Sequence, residues 1–254
     1  MKKSRLCWLP NLLTMGNLFC GVLAIIFAIR GEDFYSRAMI VILIGGLFDF
    51  FDGFAARKLH VSSDIGRELD SLADVISFGV APAILLYERA LAHAHLPGAV
   101  SWLGIAAISF YVCCGAWRLA RHNVLTYTGR KPYFTGMPIE GGTALLLAFV
   151  LSSAKHIESN VMVIMALISV VVAGFLMIST LRFTANVPWP VRLGALAMMV
   201  IAFKYPGPWT ILLPLSYIAY GIACNLLAAK NGDEALNAAM MATTPTEEQV
   251  PVFD

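Results

Sequence analysis

Four aspartates fall into one pattern: Asp49-x-x-Asp52-Gly53-x-x-Ala56-Arg57, then eight residues, then Gly66-x-x-x-Asp70-x-x-x-Asp74. At helical spacing Asp49 and Asp52 stand at i, i+3 and Asp70 and Asp74 at i, i+4, so each pair shares one helix face. The short connection makes the two helices antiparallel neighbours, and the two faces can converge. Four carboxylates in a medium drier than water repel one another unless a cation sits among them. Oxygen-only ligands suit hard divalent ions such as Mg²⁺, Mn²⁺ or Ca²⁺, and four aspartates are enough for two ions. Two such ions bridge a pyrophosphate, stabilise the departing phosphate and polarise the phosphorus under attack. Gly53, Ala56 and Gly66 leave room for a base or phosphate close to the backbone. Arg57 offers a planar cationic donor to phosphate, and Ser63 a hydroxyl. Any one of these aspartates alone reads as a solvated helix cap. Four together, interleaved with Gly and Arg among apolar residues, read as a functional site.

The elements that must position them are membrane helices. The 254 residues are 59% hydrophobic and 13% charged, with a mean hydropathy of +0.74, which no soluble surface explains. About eight apolar runs approach the length needed to cross a bilayer: 11–29, 37–56, 70–91, 99–119, 138–154, 160–181, 190–204 and 209–228. The fold class is therefore all-α, a polytopic helix bundle. The first run is too long for a removable signal peptide and lacks a small-residue cleavage site. With the N-terminus cytoplasmic, 13 of the 18 Lys and Arg residues fall on the cytoplasmic side, including Arg57, Arg118, Arg121, Arg130 and Lys131. Only Arg30, Arg37, Arg89, Lys155 and Lys204 fall on the other, so both termini are expected in the cytoplasm. Residues 1–230 read as the membrane domain. Residues 231–254 hold five acids and no Lys or Arg, and read as a disordered cytoplasmic tail.

Several functions fall away. A net charge of +2, with basic residues scattered among apolar runs, excludes nucleic-acid binding. Cys7, Cys20, Cys113, Cys114 and Cys224 have no metal-ligand spacing. His93, His95 and His156 form no ligand pair within the membrane. Trp102, Trp189 and Trp209 lie near helix ends as interfacial anchors. A transporter would carry broken helices and polar groups at the midplane, whereas these acids crowd one interface beside basic loops. A membrane prenyltransferase would carry a second Asp-rich cluster, and none follows Asp74; these two classes, transporter and prenyltransferase, stay open as the less favoured alternatives.

The aspartate pattern resembles the signature of the CDP-alcohol phosphotransferase family at every specified position. That resemblance implies an integral membrane enzyme with a six-helix core, here plus two helices, acting as a homodimer. It would move a phosphatidyl group from a CDP-linked lipid to an alcohol and release CMP. It assigns two divalent cations to Asp49, Asp52, Asp70 and Asp74, with Asp74 also the general base, and CDP-lipid contacts to Gly53, Arg57 and Ser63. The segment Pro10-Asn11-Leu12-Leu13-Thr14, followed by Asn17, resembles the opening of the first family helix and adds Asn11 and Thr14 to the CDP-lipid contacts. Residues 118–123 (RLARHN) and 134–138 (FTGMP) resemble the phosphatidylserine synthase branch. They imply CDP-diacylglycerol as donor and L-serine as acceptor, with Arg118, Arg121, Asn123 and Lys131 as acceptor contacts. Glycerol-3-phosphate or an inositol phosphate are the alternative acceptors. Two positions depart from that branch: His122 replaces an aromatic Phe, and Ile139-Glu140-Gly141-Gly142 replaces a run of small residues. Glu140 could meet an ammonium group, or simply complement a helix dipole.

Overall fold

The computed structural model describes residues 8–59, 61, 63–92, 98–126, 133–152, 160–184, 204–205 and 207–231. Helix α1 (Leu9–Ile29) starts with Pro10 in its first turn, where the missing N–H is no loss. A turn at Gly31, whose φ is 99°, leads at once into α2 (Glu32–Leu59). So short a link makes the two helices antiparallel, and α1 packs along α2. Helix α2 opens on Glu32 and Asp33 and ends on Arg57 and Lys58, each charge complementing the helix dipole.

Helix α3 (Asp64–Ala90) begins six residues earlier than the sequence predicts. Ser63 caps it, its Oγ accepting a 3.0 Å hydrogen bond from the Gly66 amide. Asp70 and Asp74 consequently stand well inside the helix. Of the four long apolar spans α3 is the most enclosed, with 56% of its most apolar 18 residues buried against 28% for α2. It forms the centre of the bundle.

Immediately after Asp74, α3 widens into a π-helical stretch, Val75–Val80. Pro82 supplies the reason, because it has no N–H to return to the Phe78 carbonyl four residues back. A bare carbonyl in the bundle interior is costly, and two hydroxyls take it. The Thr143 Oγ1 donates at 2.7 Å and the Tyr111 hydroxyl at 3.2 Å. These residues belong to α5 (Ile139–Ser152) and α4 (Gly98–Thr126), so the widened turn ties three helices together.

Helix α6 (Asn160–Ile178) packs against α4, and α7 (Leu212–Asn231) follows a 3₁₀ turn at Pro208–Ile211. The sequence reading runs α6 on to residue 181, but the chain leaves the helix at Ser179 and forms a short strand. Strand β1 (Tyr133–Thr135) pairs antiparallel with β2 (Arg182–Thr184), Phe134 opposite Phe183. The Asn225 side chain clasps β2 from α7, accepting from the Arg182 amide at 2.9 Å and donating to its carbonyl at 2.8 Å.

Among the described residues, four helices are long and apolar enough to cross a membrane: α1, α2, α3 and residues 101–124 of α4. The apolar helices Ile139–Ser152, Val163–Ile178 and Trp209–Ala223 are shorter. The expected run 190–204, the tail beyond Asn231, and Lys131, His93, His95, His156 and Trp189 lie outside the described residues, apart from Lys204 itself.

Candidate active site

The N-terminal end of α1, the C-terminal end of α2 and the N-terminal half of α3 meet at one end of the bundle. There the carboxylates of Asp49, Asp70 and Asp74 offer oxygens that all lie within 4.8 Å of one another. Asp49 and Asp74 meet carboxyl to carboxyl. Asp52 belongs to the same neighbourhood but stands outside this tightest group. Thr14, from α1, donates to its Oδ2 at 2.7 Å and draws it toward the adjoining cleft.

The carboxylates are held but not satisfied. Asp52 and Asp74 are each 6% exposed, and one oxygen of Asp70 is buried with no hydrogen-bond partner. Asn17 donates weakly to Asp74, at 3.3 Å, and its own carbonyl oxygen is buried and unpartnered. The backbone carbonyl of the same Asn17 accepts from Ser77 Oγ in the π-helical stretch, at 2.9 Å. One residue of α1 is thereby pinned by both its side chain and its backbone to the face of α3 that carries Asp74. A buried cluster of like charges with orphaned oxygens is what a divalent cation would relieve. An all-oxygen donor set fits a hard ion, so the residues present suit the metal that the sequence pattern implies.

Beside the acids lies a cleft of about 140 Å³ lined by Pro10, Asn11, Thr14, Asp52, Gly53, Ala56, Val61, Ser63, Gly66, Arg67 and Asp70. Six of the seven residues expected to contact a CDP-lipid line it. Arg57 does not: it stands at the rim, exposed, its guanidinium folded toward Gly53. Ser63 lines the cleft while its Oγ serves as the α3 cap. Gly66 cannot be replaced without intrusion, since a methyl group there would come 2.9 Å from the Asn11 side-chain oxygen. Arg67, one of the 13 charges counted on the cytoplasmic side, also forms part of the cleft wall.

On the far side of the acids, α4 carries Arg118, Arg121 and Asn123. Asn123 donates to Ser71 Oγ at 2.9 Å, joining α4 to the residue after Asp70. Arg121, expected to hold the acceptor, is engaged elsewhere. Its guanidinium donates to the carbonyls of Ile178 (3.0 Å), Thr135 (2.7 Å), Met177 (3.1 Å) and Ser179 (3.2 Å). It therefore caps the C-terminal end of α6 and bolts β1 to it. Gly136 passes directly beneath with φ of 81°, and a side chain there would collide with both Arg121 and the Met177 carbonyl. Arg118, one turn earlier, is the opposite case. It is only 4% exposed, its Nε has no partner, and its guanidinium lies 5.2 Å from the centre of the Phe134 ring.

Comparison with known proteins adds an independent line. A family model described as CDP-alcohol phosphatidyltransferase matches residues 7–174, from the start of α1 to near the end of α6. A CDP-diacylglycerol–serine O-phosphatidyltransferase of Bacillus subtilis (strain 168) is 41% identical over 144 residues, covering 56% of this chain and 76% of that protein. A protein of the same description from Helicobacter pylori (strain ATCC 700392 / 26695) is 32% identical over 219 residues, covering 84% of this chain and 89% of its own. An archaetidylserine synthase of Methanothermobacter thermautotrophicus is 38% identical over 180 residues, covering 69% of each.

Proposed function

Because the chain belongs to the CDP-alcohol phosphatidyltransferase family, we propose that it transfers the phosphatidyl group of CDP-diacylglycerol to L-serine, forming phosphatidylserine and releasing CMP. The observation that carries this reading is the half-buried acidic cluster beside a cleft lined by Asn11, Thr14, Gly53, Ser63 and Gly66, in a chain similar to proteins described as serine phosphatidyltransferases.

In this reading Asp49, Asp52, Asp70 and Asp74 hold two divalent cations, Mg²⁺ or Mn²⁺. Bound there, the ions neutralise the pyrophosphate and make its phosphorus electrophilic. The residues of this chain do the rest. Asn11, Thr14, Gly53, Ala56, Ser63 and Gly66 seat the CDP moiety, with Arg57 at the rim and Arg67 in the wall. Asp74 accepts the proton of the serine hydroxyl as its oxygen bonds to the phosphatidyl phosphorus and the bond from that phosphorus to CMP breaks. Asn17 fixes the orientation of Asp74 for that transfer. Arg118 and Asn123 would face the acceptor, and Lys131 is assigned to it on the sequence resemblance alone. Arg121 supports them by holding α6 and β1 in place.

The chain is a multi-pass membrane protein. Eight spans, six of them a family core, with both termini cytoplasmic in the cell's inner membrane, complete the proposal, supported by the 13-to-5 charge split. Residues 1–230 would form the catalytic membrane domain and 231–254 an acidic tail. A reporter fused after Arg57 should register as cytoplasmic and one near Ala94 should not; the reverse would place the site on the wrong side for a cytosolic acceptor. A homodimer belongs to the same reading, and native mass spectrometry showing only single chains in lipid would remove it. The acceptor itself is tested by incubating purified protein with CDP-diacylglycerol and serine, glycerol-3-phosphate or an inositol phosphate. Phosphatidylserine should dominate the product masses, and a preference for either phosphate would replace serine.

A further inference from the structure

Glu140 opens α5 with its side chain exposed, in the segment where the chain departs from the small residues of its branch. It acts electrostatically on Asp49, Asp70 and Asp74 on one side, and on His122 and Tyr217 on the other. Arg118 acts on the same His122 and Tyr217. The residue after Glu140, Gly141, lies against the Tyr217 ring, which packs on Phe183. Phe183 stands opposite Phe134, whose ring faces the Arg118 guanidinium, so the acid and the guanidinium flank one aromatic group, and no ion pair joins them among the described residues.

Arg118 is the buried member, and Glu140 is open to solvent with no ion pair among the described residues. A buried guanidinium with an unpartnered Nε is in a costly state, and aromatic stacking on Phe134 offsets only part of that. A free carboxylate facing three aspartates is repelled by them. The turn of α5 that carries Glu140 is tied to the turn of α3 that carries Asp74, because Thr143, one turn beyond Glu140, is bonded to the Phe78 carbonyl, one turn beyond Asp74.

We propose that Glu140 and Arg118 form a dipolar receptor for a zwitterionic acceptor, with Arg118 taking the carboxylate and Glu140 the ammonium group, so that the hydroxyl is left facing Asp74. The inference rests on the serine reading and adds a specificity-determining residue to it. An anionic acceptor such as glycerol-3-phosphate gains nothing from Glu140 and meets its negative charge. An amino acid satisfies both ends at once.

The test compares three acceptors with the full-length protein: L-serine, 3-hydroxypropanoate, which lacks the ammonium group, and ethanolamine, which lacks the carboxylate. A charge-assisted hydrogen bond makes roughly a 10- to 100-fold difference in affinity. Glu140→Gln should therefore raise the KM for serine by about that factor and leave the KM for CDP-diacylglycerol unchanged. Its preference for serine over 3-hydroxypropanoate should collapse, and its preference for serine over ethanolamine should survive. Glu140→Asp should recover part of the loss. If Glu140→Gln keeps both the serine KM and the preference over 3-hydroxypropanoate, the inference is overturned. It is overturned equally if the variant keeps its serine KM and instead demands more divalent ion, which would make Glu140 a metal ligand. Failure of the wild type to use serine would remove the serine reading itself, and would be seen before any variant is compared.

Discussion

The two sides of the site handle charge in opposite ways. Between α1, α2 and α3 the carboxylates are gathered and left short of hydrogen bonds, with an orphaned oxygen on Asp70 and a single weak donor on Asp74. Between α4, α5 and α6 the same tension is divided between two arginines one turn apart. Arg121 meets four backbone carbonyls, and Arg118 meets an aromatic ring and no acceptor for its Nε. Polar groups in a bundle interior are normally paired. Four such groups among the described residues are left wanting by the fold, on Asn17, Tyr35, Asp70 and Arg118, and of these we place ligands at Asp70 and Arg118. Those that it satisfies, Arg121 above all, hold the frame.

The comparison breaks first at Asp74. Asp74→Asn removes the proposed base and should lower kcat by about three orders of magnitude, with CDP-diacylglycerol binding changed far less. A variant retaining a tenth of wild-type kcat would show that the proton goes elsewhere. The arginines come next and should separate cleanly. Arg121→Ala orphans the α6 carbonyls and should cost about 3 kcal/mol of stability, seen as a lowered thermal midpoint in detergent, with the serine KM little altered. Arg118→Ala should do the reverse, raising the serine KM more than tenfold while the midpoint holds. Exchange of these two phenotypes would reverse the roles given to them. The smallest effect is expected at Asn17, which only orients Asp74. Asn17→Ala should reduce kcat about tenfold, in the range seen when a ligand's supporting hydrogen bond is lost, with KM values unchanged. An unaltered kcat would leave Asn17 a packing residue.

What was legible in the sequence follows from range. The aspartate pairs lie at i, i+3 and i, i+4, so helical geometry alone puts each pair on one face, and a short link brings the faces together. Asn17 was noticed as part of the first helix but given no role, because its partner lies 57 residues away. Both strands of the β1–β2 ribbon fall in segments read as loops, since neither three-residue strand has a pattern that reveals the other. Arg118 and Arg121 look alike in sequence, and only the α6 carbonyls, 56 to 58 residues further on, distinguish them. Ser63, expected at the substrate, lines the cleft and also caps α3, a second role that was not legible until the start of α3 was known. Pro82 was the one local signal left unused. A proline within an apolar span announces a free carbonyl four residues earlier, and here that carbonyl organises the bundle directly behind Asp74.

The central claim is that the acidic cluster, occupied by divalent ions, joins serine to the phosphatidyl group. It is tested most directly by measuring CMP and phosphatidylserine together from CDP-diacylglycerol and serine, in wild type and Asp70→Asn, as divalent ion is removed by chelation and restored. The two products should appear in equal amounts, vanish with the ion, return when Mg²⁺ or Mn²⁺ is restored, and be absent from Asp70→Asn throughout. Serine-dependent CMP release that continues at full rate under chelation, or in Asp70→Asn, would contradict it.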